Sequence, residues 1–168
     1  SNTPGAVLGF RFVNRTRRPL AVGLLALVKN PVGYDHPELP CAASLIREPG
    51  LFGAVLTRPG LPERCNSQGS LAFCFSDAGE SDASWVIHPR NGRDVWDPLF
   101  QAGRLDDCDA SSDGGTVGEI GAERSVSGPT GHPRVALCRH LRLPVDGEAQ
   151  TTGLLTWHFP CFLEQERD

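Results

Sequence analysis

Short apolar runs, each cut off by proline or glycine, constrain this chain more than anything else in it. In "AVLGFRFVN" (Ala6–Asn14), Phe10 and Phe12 point one way and Arg11 and Val13 the other. That period of two is what a β-strand imposes on its side chains. Runs of strand length recur as "PLAVGLLALVKN" (Pro19–Asn30), "SLIRE" (Ser44–Glu48), "LFGAVLTR" (Leu51–Arg58) and "SLAFCFS" (Ser70–Ser76). Three more follow: "ASWVIHP" (Ala83–Pro89), "RVALCRHLRLPV" (Arg134–Val145) and "GLLTWHFPCF" (Gly153–Phe162). About eight strands with a turn signal every ~10 residues are the pattern of an antiparallel sandwich. The expected fold class is therefore all-β, an antiparallel β-sandwich, with residues 1–168 as one domain.

The turns follow from the same punctuation. The polar stretch through Pro19 is expected to join the first two runs as a hairpin, with "NRTRRP" (Asn14–Pro19) as its solvated tip. Pro49 and Gly50 make a second hairpin. Pro31–Pro40 and "LPERCNSQ" (Leu61–Gln68) read as loops, as do "DDCDASSDGGTVGEIG" (Asp106–Gly121) and "SVSGPTGHP" (Ser125–Pro133). "GEAQTT" (Gly147–Thr152) reads as the last turn.

One stretch breaks the period. In "DVWDPLFQAGRLDD" (Asp94–Asp107), Val95, Trp96, Leu99, Phe100 and Leu105 fall at helical spacing, so one short connecting helix is expected near 94–102. Gly103 should end it in a left-handed conformation. Pro98 is tolerable only in a first helical turn, which points to Asp94 or Asp97 as the cap.

Bulk properties exclude several classes of function. Apolar content of 39% and charged content of 21% are globular values. A net charge of −4 argues against nucleic acid, since phosphate contacts need a dense Lys/Arg surface. No apolar run approaches the ~20 residues of a transmembrane helix. The chain begins at Ser1 and contains no Met, so it reads as an excised or processed piece of a larger polypeptide. Its six cysteines (Cys41, Cys65, Cys74, Cys108, Cys138 and Cys161) form no CxxC pair. They read as free thiols in a reducing, cytoplasmic compartment. The sequon "NRT" (Asn14–Thr16) points the other way and matters only in a secreted protein.

Chemical motifs are sparse. Asp107, Asp109, Ser111 and Asp113 alternate as in a calcium loop, but Ser112 and Gly118 stand where that loop needs Gly and a bidentate Glu. "GGTVGEIG" lacks the Lys-Ser/Thr of a phosphate loop. Cys138 and His140 share a strand face, yet no second ligand pair accompanies them. G-x-S-x-G is missing. No metal, cofactor or catalytic residue is expected in this chain. Trp85, Trp96 and Trp157 could stack on sugar rings, though core burial is the commoner fate of Trp.

Three stretches, in order, carry a resemblance. "FRFVNRTRRPLAVGLLALVKN" has an Asn ending one strand, a Pro before the next and an Asn closing it. "WDPLFQAGRLDD" has a Trp-x-x-(Leu/Phe)-…-Gly-x-Leu pattern, and "GLLTWHFPC" a Leu-x-Trp-(Asp/His)-(Phe/Met)-Pro pattern. Together they resemble the N-terminal β-sandwich domain of glycoside hydrolase family 116, the non-lysosomal glucosylceramidase and β-glucosidase type. Departures are Pro98 within the helical segment, a longer glycine-rich insertion at 109–134, and His158 where an acid is common. The resemblance implies a two-domain retaining β-glucosidase whose nucleophile and acid/base lie in an (α/α)6 helical barrel beyond Asp168. The sandwich alone would then be inactive, bracing the barrel of the same polypeptide and meeting a β-glucoside only through rim loops. It implies further strands upstream of Ser1 as well. The residues expected to be structural or to face the barrel are Trp96, Leu99, Phe100, Gly103, Leu105, Trp157, Phe159 and Pro160. Trp96, Leu99 and Phe100 are expected to bury their stripe over the sandwich edge or against the barrel. Trp96→Ala would cost ~3–5 kcal/mol if that stripe is core. The alternative is a carbohydrate-binding, lectin-like sandwich with a Trp platform. A third reading is a secreted adhesion or interaction domain, carrying disulfides and a glycan on Asn14.

Overall fold

The computed structural model describes residues 4–63, 65–76, 78, 82–110, 125–127 and 134–160, with backbone only at 109 and 125–127. Its strands are β1 (Gly5–Val13), β2 (Leu20–Lys29), β3 (Ala42–Glu48), β4 (Leu51–Thr57), β5 (Ser70–Ser76), β6 (Ala83–Ile87), β7 (Cys108–Asp109), β8 (Ser125–Ser127), β9 (Arg134–Leu143) and β10 (Glu148–His158). One helix, α1 (Arg93–Ala102), lies between β6 and β7. They form two sheets, ordered β1-β10-β5-β4-β3-β8 and β2-β9-β6-β7. The all-β sandwich with one short helix is what the alternating runs require.

The core lies between the sheets. Leu45, Phe52, Leu56, Phe73 and Phe75 of the six-stranded sheet face Trp85, Ile87, Val135 and Leu137 of the four-stranded one. Phe73 and Phe75 meet edge to face with centroids 5.1 Å apart, an arrangement the ring quadrupoles favour. Arg139 occupies an inward position on β9, and its guanidinium reaches the backbone oxygen of Asp82 at 3.1 Å. The Pro49–Gly50 hairpin forms as expected, pairing Glu48 with Leu51. Gly50 sits at φ 76°, the left-handed position that follows proline in a type II turn.

The first expected hairpin does not form. β1 pairs with β10 along its length, Gly5 opposite Thr156 through Val13 opposite Glu148. β2 pairs with β9 in the other sheet, Leu20 opposite Leu143 through Lys29 opposite Arg134. The link between β1 and β2 is thus an arch that crosses from one sheet to the other. Period two shows that a strand has an apolar face but not whether the next strand lies beside it or opposite it. β9 and β10 are joined by a second arch, and here the turn is Pro144–Gly147, with "GEAQTT" mostly inside β10.

Asn14 ties the two arches together. It is 1% exposed. Its Nδ2 donates to the Arg18 and Pro144 oxygens at 2.8 Å each and lies 3.4 Å from Leu143 O. Its Oδ1 accepts from Thr16 N (2.9 Å) and Thr16 Oγ1 (2.8 Å), and its own N–H donates to Gly147 O (2.9 Å). The Asn and Thr of the sequon are therefore structural, and their hydrogen bonds leave Nδ2 no room for a glycan in the folded chain. Asn30 does the same at the far end of β2. It is 0% exposed, donates to Thr57 O at 3.0 Å and accepts from Val32 N at 3.0 Å.

Two short strands replace expected loop. Cys108–Asp109 pairs in parallel with β6, and Ser125–Ser127 pairs with β3. Neither carries an alternating pattern, and each is specified by the free edge it completes. The rest of the glycine-rich insertion, and Cys161, lie outside the described residues.

Replacing Asn14 by Ala should lower unfolding stability by about 3 kcal/mol, because buried carbonyls and an N–H lose partners together. Asn14→Asp should cost at least as much at pH 7, since a carboxylate would face the same carbonyls. Urea titration of both variants measures the loss, and a change under ~0.5 kcal/mol in either would contradict the bracket role.

A candidate docking groove beside the helix

Part of the outer face of the four-stranded sheet is covered by α1. Val95 and Leu105 are buried against Val86, Ala136 and Cys138, with Leu25, Leu99, Cys108 and Ala110 at the margin. The β9 residues under the helix are small, which lets the helix axis approach the sheet. The helix begins at Arg93 after Gly92, which supplies no side-chain cap. Asp94 instead lies within the first turn, and its carboxylate accepts from the Arg90 and Asn91 N–H groups at 2.6 and 3.2 Å. Pro98 consequently falls at the sixth helical residue, beyond the first turn, and Asp97 caps nothing. Pro98 has no N–H to give to Asp94, and a ten-residue helix packed along one side tolerates that missing bond.

The helix ends where the sequence says it must. Gly103 takes φ 71° and its N–H donates to Leu99 O at 3.0 Å. The following residues are sewn to β6: Leu105 N donates to Ser84 Oγ (2.9 Å), and Asp107 Oδ1 accepts from Trp85 N (2.9 Å). Asp107 Oδ2 also receives Arg104 Nη2 at 2.8 Å. Ser84 and Asp107 fix the helix and its exit, roles that no sequence motif announces.

Trp96 and Phe100 form the neighbouring stripe of the helix, about 100° round from the anchored Val95 and Leu99. Trp96 is 50% exposed and Phe100 84%, their ring centroids 6.2 Å apart. They form one wall of a 540 Å³ groove between α1 and the β2–β9 ladder. Its other lining residues include Ala21, Gly23, Leu25, Leu99, Cys138 and His140, with Arg104 and Arg142 as the charged groups and no carboxylate. A chain of net charge −4 thus presents a locally basic, apolar groove.

His140 sits in that lining with Nε2 2.8 Å from Ser84 Oγ. Ser84 Oγ also accepts from Leu105 N, so one hydroxyl touches both the helix exit and the His140 ring. Burial holds the imidazole below its ordinary value of 6.5, and the Arg104 charge adds to the effect while Asp107 opposes it. Burial also pushes the Cys74 and Cys138 thiols up to about 11. Cys41, Cys65, Cys74, Cys108 and Cys138 are all free thiols. Cys138 and His140 do lie on one face, Sγ 4.0 Å from Nδ1, and His140 is already engaged by Ser84.

Across residues 1–167 the sequence matches the family model described as beta-glucosidase 2, glycosyl-hydrolase family 116 N-term. The chain belongs to this family. No curated protein matches it. The family's three segments occupy distinct places: the two arch-and-bracket strands, the helix with its exit, and β10. The site residues expected from the family pattern divide accordingly. Trp96, Leu99, Phe100, Gly103 and Leu105 gather on α1 and its exit, Leu105 buried and Trp96 and Phe100 facing out. Trp157, Phe159 and Pro160 belong to the end of the other sheet. Trp157 lies opposite Leu71 on β5 and is partly buried, Phe159 is half-buried, and Pro160 is exposed.

The exposures reset the energetic expectation. Half-exposed, Trp96 should lose about 1–2 kcal/mol on truncation to Ala rather than the core figure. Phe100→Ala should stay within about 0.5 kcal/mol, whereas Leu105→Ala should cost about 2–5 kcal/mol. Thermal unfolding of the three variants reads this order directly. The His140 shift fixes a sign as well. A depressed imidazole binds its proton less well folded than unfolded, so stability is full above the ordinary value of 6.5 and falls as pH drops through it. His140→Gln should flatten that part of the melting-temperature profile.

Proposed function

We propose that this chain is the non-catalytic N-terminal sandwich of a family 116 β-glucosidase or glucosylceramidase-like hydrolase, acting as the brace for a catalytic (α/α)6 barrel in the same polypeptide. The observation that carries this reading is the Trp96–Phe100 pair. It is held out on a helix whose neighbouring stripe is anchored in the core, in a chain that matches the family across residues 1–167. An exposed aromatic pair above an apolar groove is what a domain interface looks like with one side removed. The groove lining has no carboxylate, whereas retaining glycoside hydrolysis uses two carboxyl groups about 5–5.5 Å apart. The groove therefore suits docking better than that chemistry.

On this reading residues 1–168 act as one domain and the polypeptide continues past Asp168. The β-glucoside meets this chain at most through rim loops. The free thiols support a cytoplasmic location, and the burial of Asn14 counts against a secreted, glycosylated form. A second reading has one observation in its favour: Trp96 and Phe100 could serve as a platform for a sugar ring.

The test is made in the native polypeptide. Sequencing past Asp168 should find a helical domain of several hundred residues. Phe100→Asp there should reduce β-glucosidase activity and lower the melting temperature, while Phe100→Asp in residues 1–168 alone leaves the sandwich transition nearly unchanged. A chain that ends at Asp168, or a parent indifferent to Phe100→Asp, would contradict the brace. A saturable tryptophan fluorescence change with β-glucosides, lost in Trp96→Ala, would select the sugar platform instead.

A further inference from the structure

A second cluster of chemical groups lies away from the helix, where the loops following β2 and β4 meet. Gly33 N donates to Ser67 O at 2.9 Å and joins the two loops. The contact brings Asp35 and His36 of the first beside Cys65 of the second, with one potential ligand atom from each within 4.8 Å of the others. Cys65 Sγ lies 3.9 Å from both carboxylate oxygens of Asp35 and 2.9 Å from Ser67 Oγ. Ser67 in turn hydrogen-bonds Asp35 Oδ1. Cys65 and Ser67 are buried, at 7% and 2% exposure, while Asp35 is exposed and His36 partly so. His36 Nδ1 is 3.1 Å from Glu38 Oε1.

We propose that Asp35, His36 and Cys65 form a binding site for a zinc-class divalent transition-metal ion. One thiolate, one imidazole and one carboxylate make a borderline-soft set suited to zinc. Zinc–ligand distances of about 2.0–2.3 Å place ligand atoms roughly 3.3–3.6 Å apart in a tetrahedral site. A contraction of up to about 1.5 Å in the widest ligand-atom separation closes the observed triangle around an ion, and the more exposed Asp35 and His36 can supply it by rotamer adjustment. Carboxylate and thiolate together offset the two charges of the ion, and the proton leaves the thiol on binding. The Ser67 hydrogen bond is the main reason the Asp35 carboxyl is held below its ordinary value of 3.8, with burial opposing it. Glu38 is placed to orient the His36 ring, the usual role of an outer carboxylate at a zinc histidine. Three protein ligands leave a fourth position for water or a partner group. Arg58, buried beneath the loop, donates to the His36 and Leu39 oxygens and fixes the first loop from below.

The test is cobalt and zinc binding by the whole chain. One equivalent of Co(II) should give an absorption band from thiolate-to-cobalt charge transfer, and zinc should displace it. Cys65→Ser should abolish the band, Cys138→Ser should retain it, and Glu38→Gln should weaken zinc binding by about 10-fold in chelator competition. Far-UV circular dichroism establishes that each variant is folded, and the wild-type cobalt spectrum needs no variant at all. Absence of stoichiometric binding by the wild type, a cobalt spectrum without a thiolate band, or a band that survives Cys65→Ser would overturn the proposal.

Discussion

The stacking of the two sheets depends on the hydrogen bonds of Asn14. β1–β10 and β2–β9 are each long antiparallel ladders, and neither ladder by itself says how one should lie over the other. The Asn14 amide decides it by holding the Arg18 and Pro144 oxygens at one corner, one on the way into β2 and the other on the way out of β9. Asn30 repeats the device at the opposite end, joining the end of β2 to the Thr57 carbonyl at the end of β4 in the other sheet. A buried amide stabilises such a junction only when every donor and acceptor is used. The Asn14 side-chain amide uses its donors and its acceptor, and no aliphatic side chain of the same size could replace them.

Fixing the sheets this way leaves the outer face of the four-stranded sheet needing cover, because β6 is buried on both sides, with Val86 beside Ser84 on the outer one. Trp85 and Ile87 face the sandwich core and Val86 faces the helix. A strand of a two-layer antiparallel sandwich alternates apolar with polar, while one buried on both faces does not. "ASWVI" thus already implies a third layer, and α1 supplies it. That layer is narrower than the sheet it covers. The β2–β9 side stays open, and the groove is the uncovered remainder.

Local features were legible in the sequence and long-range ones were not. The Pro49–Gly50 turn, the strand runs, the span of α1 and its stop at Gly103 all follow from short-range backbone preferences. The family pattern carried the Asn, Trp and Gly positions. What period alone could not assign was direction. Val95 and Leu99 are one turn apart, Trp96 and Phe100 are one turn apart, and the two stripes lie side by side on the same helix. Size favours burying the aromatics, but the floor of Ala136 and Cys138 takes the slimmer stripe and turns the larger one outward. The β1–β2 arch was hidden for a related reason, since a strand facing its neighbour and a strand paired with it share one alternation. β7 and β8 carry no alternation and owe their existence to the edges they meet.

The Asp35–His36–Cys65 cluster shows the same limit from the chemical side. Ligand searches by spacing look for pairs such as Cys138 and His140 on one strand, whereas this set joins two loops through the Gly33–Ser67 hydrogen bond. The first of those loops is itself set by the Asn30 bracket, whose Oδ1 receives Val32 N at its start. The contacts that align the sheets therefore also place the loop carrying Asp35 and His36 against the loop carrying Cys65. A site prepared in this way needs little reorganisation to accept an ion, and bound zinc would stiffen a junction the asparagines have already formed. The groove is prepared likewise, its aromatic wall carried on a helix anchored by Val95 and Leu105. In both places antiparallel scaffolding holds polar or aromatic groups partly exposed and in fixed positions.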